Sequence, residues 1–401
     1  MSLFDKLHTT AERLAAAGPG AVPFATVIEA VLGPTEVVID GRRTLMCGSN
    51  NYFGLNVHPE VLAAAHQALE AEGAGTTGSR AANGTYAAHR DLERQFATLF
   101  GVKHAQLFTT GYQANLGVIA GLCGPGDTVL VDLESHASIY DGARLSGATL
   151  FAFRHNAPDD LRRKLARQRD PSRCLVVIEG LYSISGDLAP VAAFADVCRE
   201  AGAYLMVDEA HSFGVLGSRG LGRAEDEGAL DRVDFIVGTF SKTLGATGGF
   251  CVSNRDALPL LHYTSRPYVF TASASPSTIA GVSAALRVIA RDRASLQSRL
   301  WENVHRARTG LRAAGFEIGA TASPIVPVTI GSADRAIAFW RGLLHQGVYV
   351  NLMLPPATHP DRCLLRTSYS AAHTADEIDR TVAAFTEVGR ALAVLPTPAS
   401  A

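Results

Sequence analysis

The sequence predicts an α/β fold in two parts, a large domain around a mostly parallel sheet and a smaller α+β C-terminal domain. Three observations carry this. Short β-branched runs recur through the middle of the chain, separated by longer helical stretches. Those runs are apolar on both faces, as strands covered by helices on both sides must be. Past about residue 280 the alternation gives way to a long helix, a few strands and a final capped helix. The expected partition is 1–50 as an N-terminal helix and β-ribbon, 51–280 as the large domain and 281–401 as the small one.

In chain order, Asp40-Gly41 is the two-residue turn of the ribbon. The buried strands are expected at 106–108, 128–131, 175–178, 204–207, 235–237 and 250–252. Several are followed at once by a polar residue: Asp132, Glu179, Asp208 and Thr239. Ligands of open α/β sheets bind outside the carboxyl ends of the strands, so these residues should converge. A long helix runs from about Pro276 into 300–314. Strands follow near 325–330, 348–351 and 364–368, with a Leu354-Pro355-Pro356 loop among them. The last helix opens on a capping box, Thr374-x-x-Glu377. Ile378, Val382, Phe385 and Val388 give it one apolar stripe. Low complexity is confined to 396–401.

Composition narrows the function classes. The 401 residues are 47% apolar and 18% charged, which is globular. A net charge of −2 argues against a nucleic-acid partner or a polybasic membrane role. The six cysteines show no CxxC spacing, the pattern of reduced thiols in a cytoplasmic protein and not of a disulfide framework or zinc site. Early acidic residues and the lack of an apolar core exclude a secretory signal at the N-terminus. No run approaches the ~18 continuous apolar residues of a membrane span. Peripheral membrane contact stays open.

Lys242 lies just past a strand in Gly238-Thr239-Phe240-Ser241-Lys242-Thr243, and Asp208 ends an earlier one. A lysine so placed can form a Schiff base beside a bound phosphate, and the aspartate can pair with a protonated pyridine nitrogen. Together they point to pyridoxal 5′-phosphate (PLP). Lys242 needs a depressed pKa for this work, which burial and a cationic neighbourhood would supply. A surface lysine is the bland reading, opposed by Gly245, Gly248 and Gly249 close behind. Thr239 and Ser241 add hydroxyl donors for phosphate.

Thr110-Gly111-Tyr112-Gln113 opens a helix, and its first N–H groups make an anion cradle, although an ordinary strand-to-helix turn reads the same way. His136 could stack on a pyridine ring and donate to a substrate carboxylate, or be a structural histidine. His211 follows Asp208 closely enough to reach the ring oxygen. Asp208 itself could be a helix N-cap, and Glu209 is read as solvated or structural. Arg366, in an apolar run, needs an anionic partner, either a substrate carboxylate or an internal acid. The order of Gly turn, His, Asp, Lys and late Arg, each at a strand end, is more specific than any one member.

With these motifs the chain resembles the α-oxoamine synthase family of fold-type I PLP enzymes, which are aspartate aminotransferase-like in fold. The resemblance covers roughly residues 25–393. It rests on Asn50-Asn51-Tyr52-Phe53-Gly54-Leu55, Gly75-Thr76-Thr77-Gly78-Ser79-Arg80, Thr110-Gly111-Tyr112-Gln113-Ala114-Asn115, Ser135-His136-Ala137-Ser138, Asp208-Glu209-Ala210-His211-Ser212 and the Lys242 motif. Arg266-Pro267-Tyr268-Val269-Phe270-Thr271-Ala272-Ser273 and Ser138-Ile139-Tyr140-Asp141-Gly142 are similar to members that use serine and a long-chain acyl-CoA.

The resemblance implies a homodimeric acyltransferase that joins an amino acid to an acyl thioester with loss of CO₂. It implies that Gly111 and Tyr112 hold the cofactor phosphate, that His136 stacks on the ring, and that Asp208 pairs with the pyridinium. Ser183 and His211 would neighbour the ring oxygen, and Lys242 would carry the Schiff base. Thr271 and Ala272 would reach the partner subunit's cofactor, and Asn51 and Arg366 the amino acid. One departure bears on the substrate: the serine users carry an arginine where this chain has Leu354. The alternatives are a sibling that takes glycine or L-alanine with another acyl-CoA or acyl-carrier protein, and a non-catalytic regulatory subunit. The presence of Lys242, Asp208 and His136 opposes the last. No metal site is expected.

Overall fold

In the computed structural model, residues 26–395 are described, together with Phe4, Asp5, His8 and Glu12. The expected N-terminal helix and the 396–401 tail lie outside the described residues. The chain divides into two compact units. The larger comprises residues 53–183 and 187–297, and the smaller comprises residues up to 52, 184–186 and 298 onward. The boundary at residue 297 falls inside one continuous helix, Pro276–Ala313.

The smaller unit begins with β1 (Ala30–Val31), β2 (Glu36–Ile39) and β3 (Arg42–Met46). Asp40 and Gly41 form the two-residue turn between β2 and β3, with φ of 49° and 70°. Two positive φ values in succession are what a hairpin turn of this length demands, and Asp-Gly meets them.

The larger unit is built on seven strands: β4 (His104–Phe108), β5 (Thr128–Asp132), β6 (Thr149–Phe153), β7 (Cys174–Glu179), β8 (Tyr204–Asp208), β9 (Phe235–Thr239) and β10 (Gly249–Ser253). Their order across the sheet is β4-β10-β9-β8-β7-β5-β6. β10 runs antiparallel to both neighbours, and the β9-β8-β7-β5-β6 pairs are all parallel. All six strands read from sequence are present.

β6 was missed although Leu150-Phe151-Ala152-Phe153 is a continuous apolar run like the others; it is an edge strand, and all its residues but Phe153 are exposed or half-buried.

The period of two explains the core. Val176 and Ile178 of β7 enter one apolar cluster with Phe194 and Val197 of the helix Val191–Ala201. Leu175 and Val177 enter the other, with Val118 and Ile119 of the helix Gly111–Leu122. Each such side chain, fully buried, contributes roughly 1.5–3 kcal/mol. The strand is therefore held from both faces, and its carboxyl end is fixed in position for whatever follows it.

The smaller unit continues with β11 (Ile325–Gly331), β12 (Val348–Tyr349), β13 (Asn351–Met353) and β14 (Cys363–Ser368). β11-β14-β13 is an antiparallel sheet, while β12 joins β1-β2-β3. The single strand expected at 348–351 thus divides between two sheets. The last helix, Ala375–Ala391, has its capping box: Thr374 Oγ1 accepts from Glu377 N at 3.2 Å, and Thr374 N donates to Glu377 Oε2 at 2.7 Å. Ile378 and Phe385 are fully buried, and Val388 nearly so.

Among the described residues no helix is long and apolar enough to cross a membrane.

Candidate active site

A cavity of about 360 Å³ opens in the larger unit beyond the carboxyl ends of the parallel strands. Gly111, Tyr112, His136, Asp208, His211, Thr239, Ser241 and Lys242 line it, with Asn115, Ser138 and Glu179. Nine residues named from sequence, Glu179 among them, therefore meet in one place. A larger cleft of about 530 Å³ lies at the opposite end of the strands, near Tyr204 and Asp234 at the amino ends of β8 and β9. It gathers none of these residues.

Lys242 sits in the loop between β9 and β10. Backbone bonds shape that loop: Phe240 N to Gly248 O at 2.9 Å, Ala246 N to Phe240 O at 2.9 Å and Gly245 N to Lys242 O at 3.0 Å. Gly245, at φ +65°, would press a Cβ within 2.5 Å of the Asn56 backbone nitrogen, so only glycine fits there. Main-chain geometry thus places the Lys242 backbone. Thr239 Oγ1 donates to Gly248 O at 3.0 Å and lies 2.9 Å from Ser241 Oγ, so both hydroxyls face the cavity from one side.

The helix Gly111–Leu122 begins at the cavity. Thr110 caps it, accepting from Gln113 N at 3.0 Å. The first N–H groups of a helix lack intrahelical partners and, with the helix dipole, favour an anion. A Cβ at position 111 would come within 2.7 Å of the Thr239 Cβ, so the glycine keeps this end of the cavity open. Tyr112 donates from its hydroxyl to Asp141 and sets its ring edge-on to His136, with centroids 6.5 Å apart.

Asp208 ends β8 and is 5% exposed. Its Oδ1 accepts from Ala210 N at 2.9 Å and its Oδ2 from Asn115 Nδ2 at 2.7 Å. Asn115 Nδ2 also donates to Ser138 Oγ at 2.9 Å, and that hydroxyl lies 2.8 Å from His136 Nδ1. Ser138 N donates to the same nitrogen at 3.2 Å. His136 Nδ1 is thus the acceptor, and the ring hydrogen sits on Nε2. A relay of four side chains fixes both the orientation and the tautomer. Desolvation holds the His136 pKa below the usual histidine range, against the pull of Asp208 and with the help of Lys242.

Sequence reasoning gave Asn115 no role. Its signal was its place one turn into the helix that Gly111 starts, facing the same side.

Glu179, expected from sequence only as a strand-end polar residue, also lines the cavity. It ends β7 directly beside Asp208 in register and accepts from His136 N at 2.5 Å. Burial, reinforced by the Asp208 carboxylate, pushes its carboxyl well above the usual carboxylate range. Glu209 is structural. Ser212, Arg223 N and Ala224 N all donate to it, the two backbone groups at 2.8 Å, and burial pushes its pKa up to about 7.

Six residues named from sequence lie elsewhere. Asp132 and Ser183 do not line this cavity. Thr271 and Ala272 line a separate small cleft with Thr109 and Tyr268. Asn51 and Arg366 belong to the smaller unit. There Arg366, 3% exposed, donates to Ser368 Oγ at 2.8 Å and to Asn50 Oδ1 at 2.9 Å. Burial lowers its pKa, against the pull of Tyr52.

The cavity's donor set matches a phosphorylated aldehyde with a basic ring nitrogen. It offers an amine, a carboxylate, two hydroxyls beside a helix N-terminus, and a flat imidazole.

Comparison with known proteins places the chain. Residues 44–385 match the class I and II aminotransferase family. A serine palmitoyltransferase of Caulobacter vibrioides is 51% identical, over 98% of each chain. A solved serine palmitoyltransferase structure with PLP as the internal aldimine is 42% identical with a TM-score of 0.95, covering 98% of this chain and all of that one. An 8-amino-7-oxononanoate synthase of Geobacter metallireducens is 38% identical over 90% of this chain and 93% of its own. The chain belongs to the class I and II aminotransferase family.

Proposed function

We propose that this protein is a PLP-dependent acyltransferase that condenses L-serine with palmitoyl-CoA, giving 3-ketosphinganine, CoA and CO₂. The observation that carries this is the single cavity in which Lys242, Asp208 and His136 meet a helix N-terminus. The likeness to serine palmitoyltransferases across the whole chain supports the choice of substrates. Its pathway would be sphingolipid biosynthesis.

Bound PLP supplies an electron sink for negative charge at the amino-acid α-carbon. Lys242 Nζ would hold the cofactor covalently and, once released, take up the α-proton. The Asp208 carboxylate would keep the pyridine nitrogen protonated. Gly111 N, Tyr112 N, Thr239 and Ser241 would hold the phosphate. His136 Nε2–H is free of the relay and can donate to the substrate carboxylate. His211 and Ser183 are assigned to the ring oxygen, and Asn51 and Arg366 to the amino acid.

We also propose a cytoplasmic homodimer in which Thr271 and Ala272 serve the partner subunit's cofactor. The six free cysteines support a reducing compartment.

Leu354 favours one second reading, a sibling synthase that takes glycine or L-alanine. Product analysis by mass spectrometry separates the two. The palmitoyl product of L-serine should dominate when serine, glycine and alanine compete at equal concentration. Dominance of a glycine or alanine product would move the assignment to the sibling.

Gly111→Ala should weaken cofactor retention. Overpacking costs about 1–3 kcal/mol, or roughly five- to a hundred-fold in affinity. A PLP titration followed by absorbance checks this, and unchanged affinity would remove Gly111 from the phosphate site.

A further inference from the structure

We infer that His155 is an imidazolium that ties the loop carrying His136 to the segment that follows β7, and is thereby a positioning residue for His136. The role rests on the reading of the cavity as the cofactor site, but the charge state of His155 does not.

His155 follows β6 and is 19% exposed in its side chain. Three carboxylates face its two ring nitrogens. From the end of β5, Asp132 Oδ1 lies 2.9 Å from Nδ1. From the following loop, Glu134 Oε2 lies 3.7 Å from Nε2. From the segment after β7, Asp187 Oδ2 lies 3.6 Å from Nε2. Tyr182 presses its ring edge-on at a centroid distance of 4.4 Å. A neutral imidazole carries one N–H, so one ring nitrogen would turn a lone pair toward a carboxylate. Protonation at both nitrogens removes that conflict. Burial works against the charge, but the bond to Asp132 and the carboxylates of Asp187 and Glu134 near Nε2 outweigh it and push the His155 pKa up to about 10.

The tie reaches the cavity through Asp132, which is fully buried. Its Oδ1 also accepts from Glu134 N at 2.9 Å, and its Oδ2 from Asn156 N at 2.8 Å. Its carbonyl accepts from Ser135 N at 3.0 Å. His136 comes next, with its N–H on Glu179. On the other side, Asn156 Nδ2 donates to Leu188 O at 3.1 Å, beside Asp187. Residues 155–156 therefore grip both loops, and the three residues between Asp132 and His136 have little freedom. Asp132 and Glu134 repel each other and Asp187 unless a cation lies between them. His155 supplies it.

The raised pKa fixes the sign of the pH dependence. The contribution is complete below the unfolded value of about 6.5 and is lost as pH rises through the folded value.

The test is ¹⁵N NMR of histidine-labelled wild-type protein between pH 6 and 10.5, with and without PLP. The His155 signal is assigned by its absence in His155→Gln or, if that variant does not fold, by its shift in Asp187→Asn. Both ring nitrogens should remain protonated through pH 9. A neutral ring at pH 7.5 overturns the proposal.

The positioning role is tested by kinetics in two backgrounds. His155→Gln should lower kcat/KM for the amino acid about tenfold or more, since small misplacements of a reacting group cost up to ~10²-fold. His155→Lys, which keeps the charge, should recover part of the loss. In a His136→Ala background the same change should cost less than about twofold, because coupled residues are not additive. Equal losses in both backgrounds, or none in the wild type, overturn the role. Wild-type protein that neither binds PLP nor turns over would instead sink the parent reading, leaving the NMR result to stand.

Discussion

Lys242→Ala is expected to abolish the condensation, lowering kcat at least ~10³-fold, because one group serves as both covalent anchor and base. The fold should survive. Main-chain bonds hold the 240–248 loop, from Phe240 N to Gly248 O and from Gly245 N to Lys242 O, and none of them uses the lysine side chain. Thr239 and Ser241, the residues proposed for the phosphate, are untouched. The variant should therefore still retain PLP, without a covalent bond. Borohydride treatment followed by peptide mass analysis separates the states: the wild type is labelled at Lys242, and the variant is unlabelled. Turnover at the wild-type rate would contradict the assignment.

Asp208→Asn should cost about 10²–10³-fold in kcat, the usual scale for removing a charge aimed at the reacting centre. It should cost more than the charge alone. Asp208 accepts two hydrogen bonds, from Ala210 N and Asn115 Nδ2, on separate oxygens. An amide has one oxygen, so its NH₂ must confront one of those donors. Asn115 can accommodate it only by rotating its own amide, which takes the donor away from Ser138 and disturbs the bond to His136 Nδ1. The variant should show altered His136 chemistry as well as a weaker electron sink. The measurement is kcat together with the pH dependence of cofactor absorbance. A kcat within threefold of wild type would show that Asp208 does not face the ring nitrogen.

The relay also explains what the sequence could and could not reveal. Strands buried on both faces were legible, because β7 and β8 leave no polar residue until their last position. The residues at those positions, Glu179 and Asp208, were legible for the same reason. β6 was not read as a strand although Leu150-Phe151-Ala152-Phe153 is apolar throughout; its place at the sheet edge comes from pairing with β5. The roles of Asn115 and His155 were not legible either. A buried asparagine one turn into a helix and a histidine after an edge strand gain meaning only from groups distant in sequence, here Asp208, Ser138, Asp132 and Asp187. The resemblance proposes which residues touch the cofactor, whereas the geometry identifies which residues hold those in place.

The most direct test of the central claim is a visible-absorption titration of the purified protein, reconstituted with PLP, against L-serine, glycine and L-alanine in turn. The account predicts a lysine-bound cofactor spectrum that changes saturably with L-serine, and a lost starting spectrum in Lys242→Ala. A response to glycine or alanine but not to serine would contradict the substrate. Absence of any cofactor absorbance after reconstitution would contradict the enzyme.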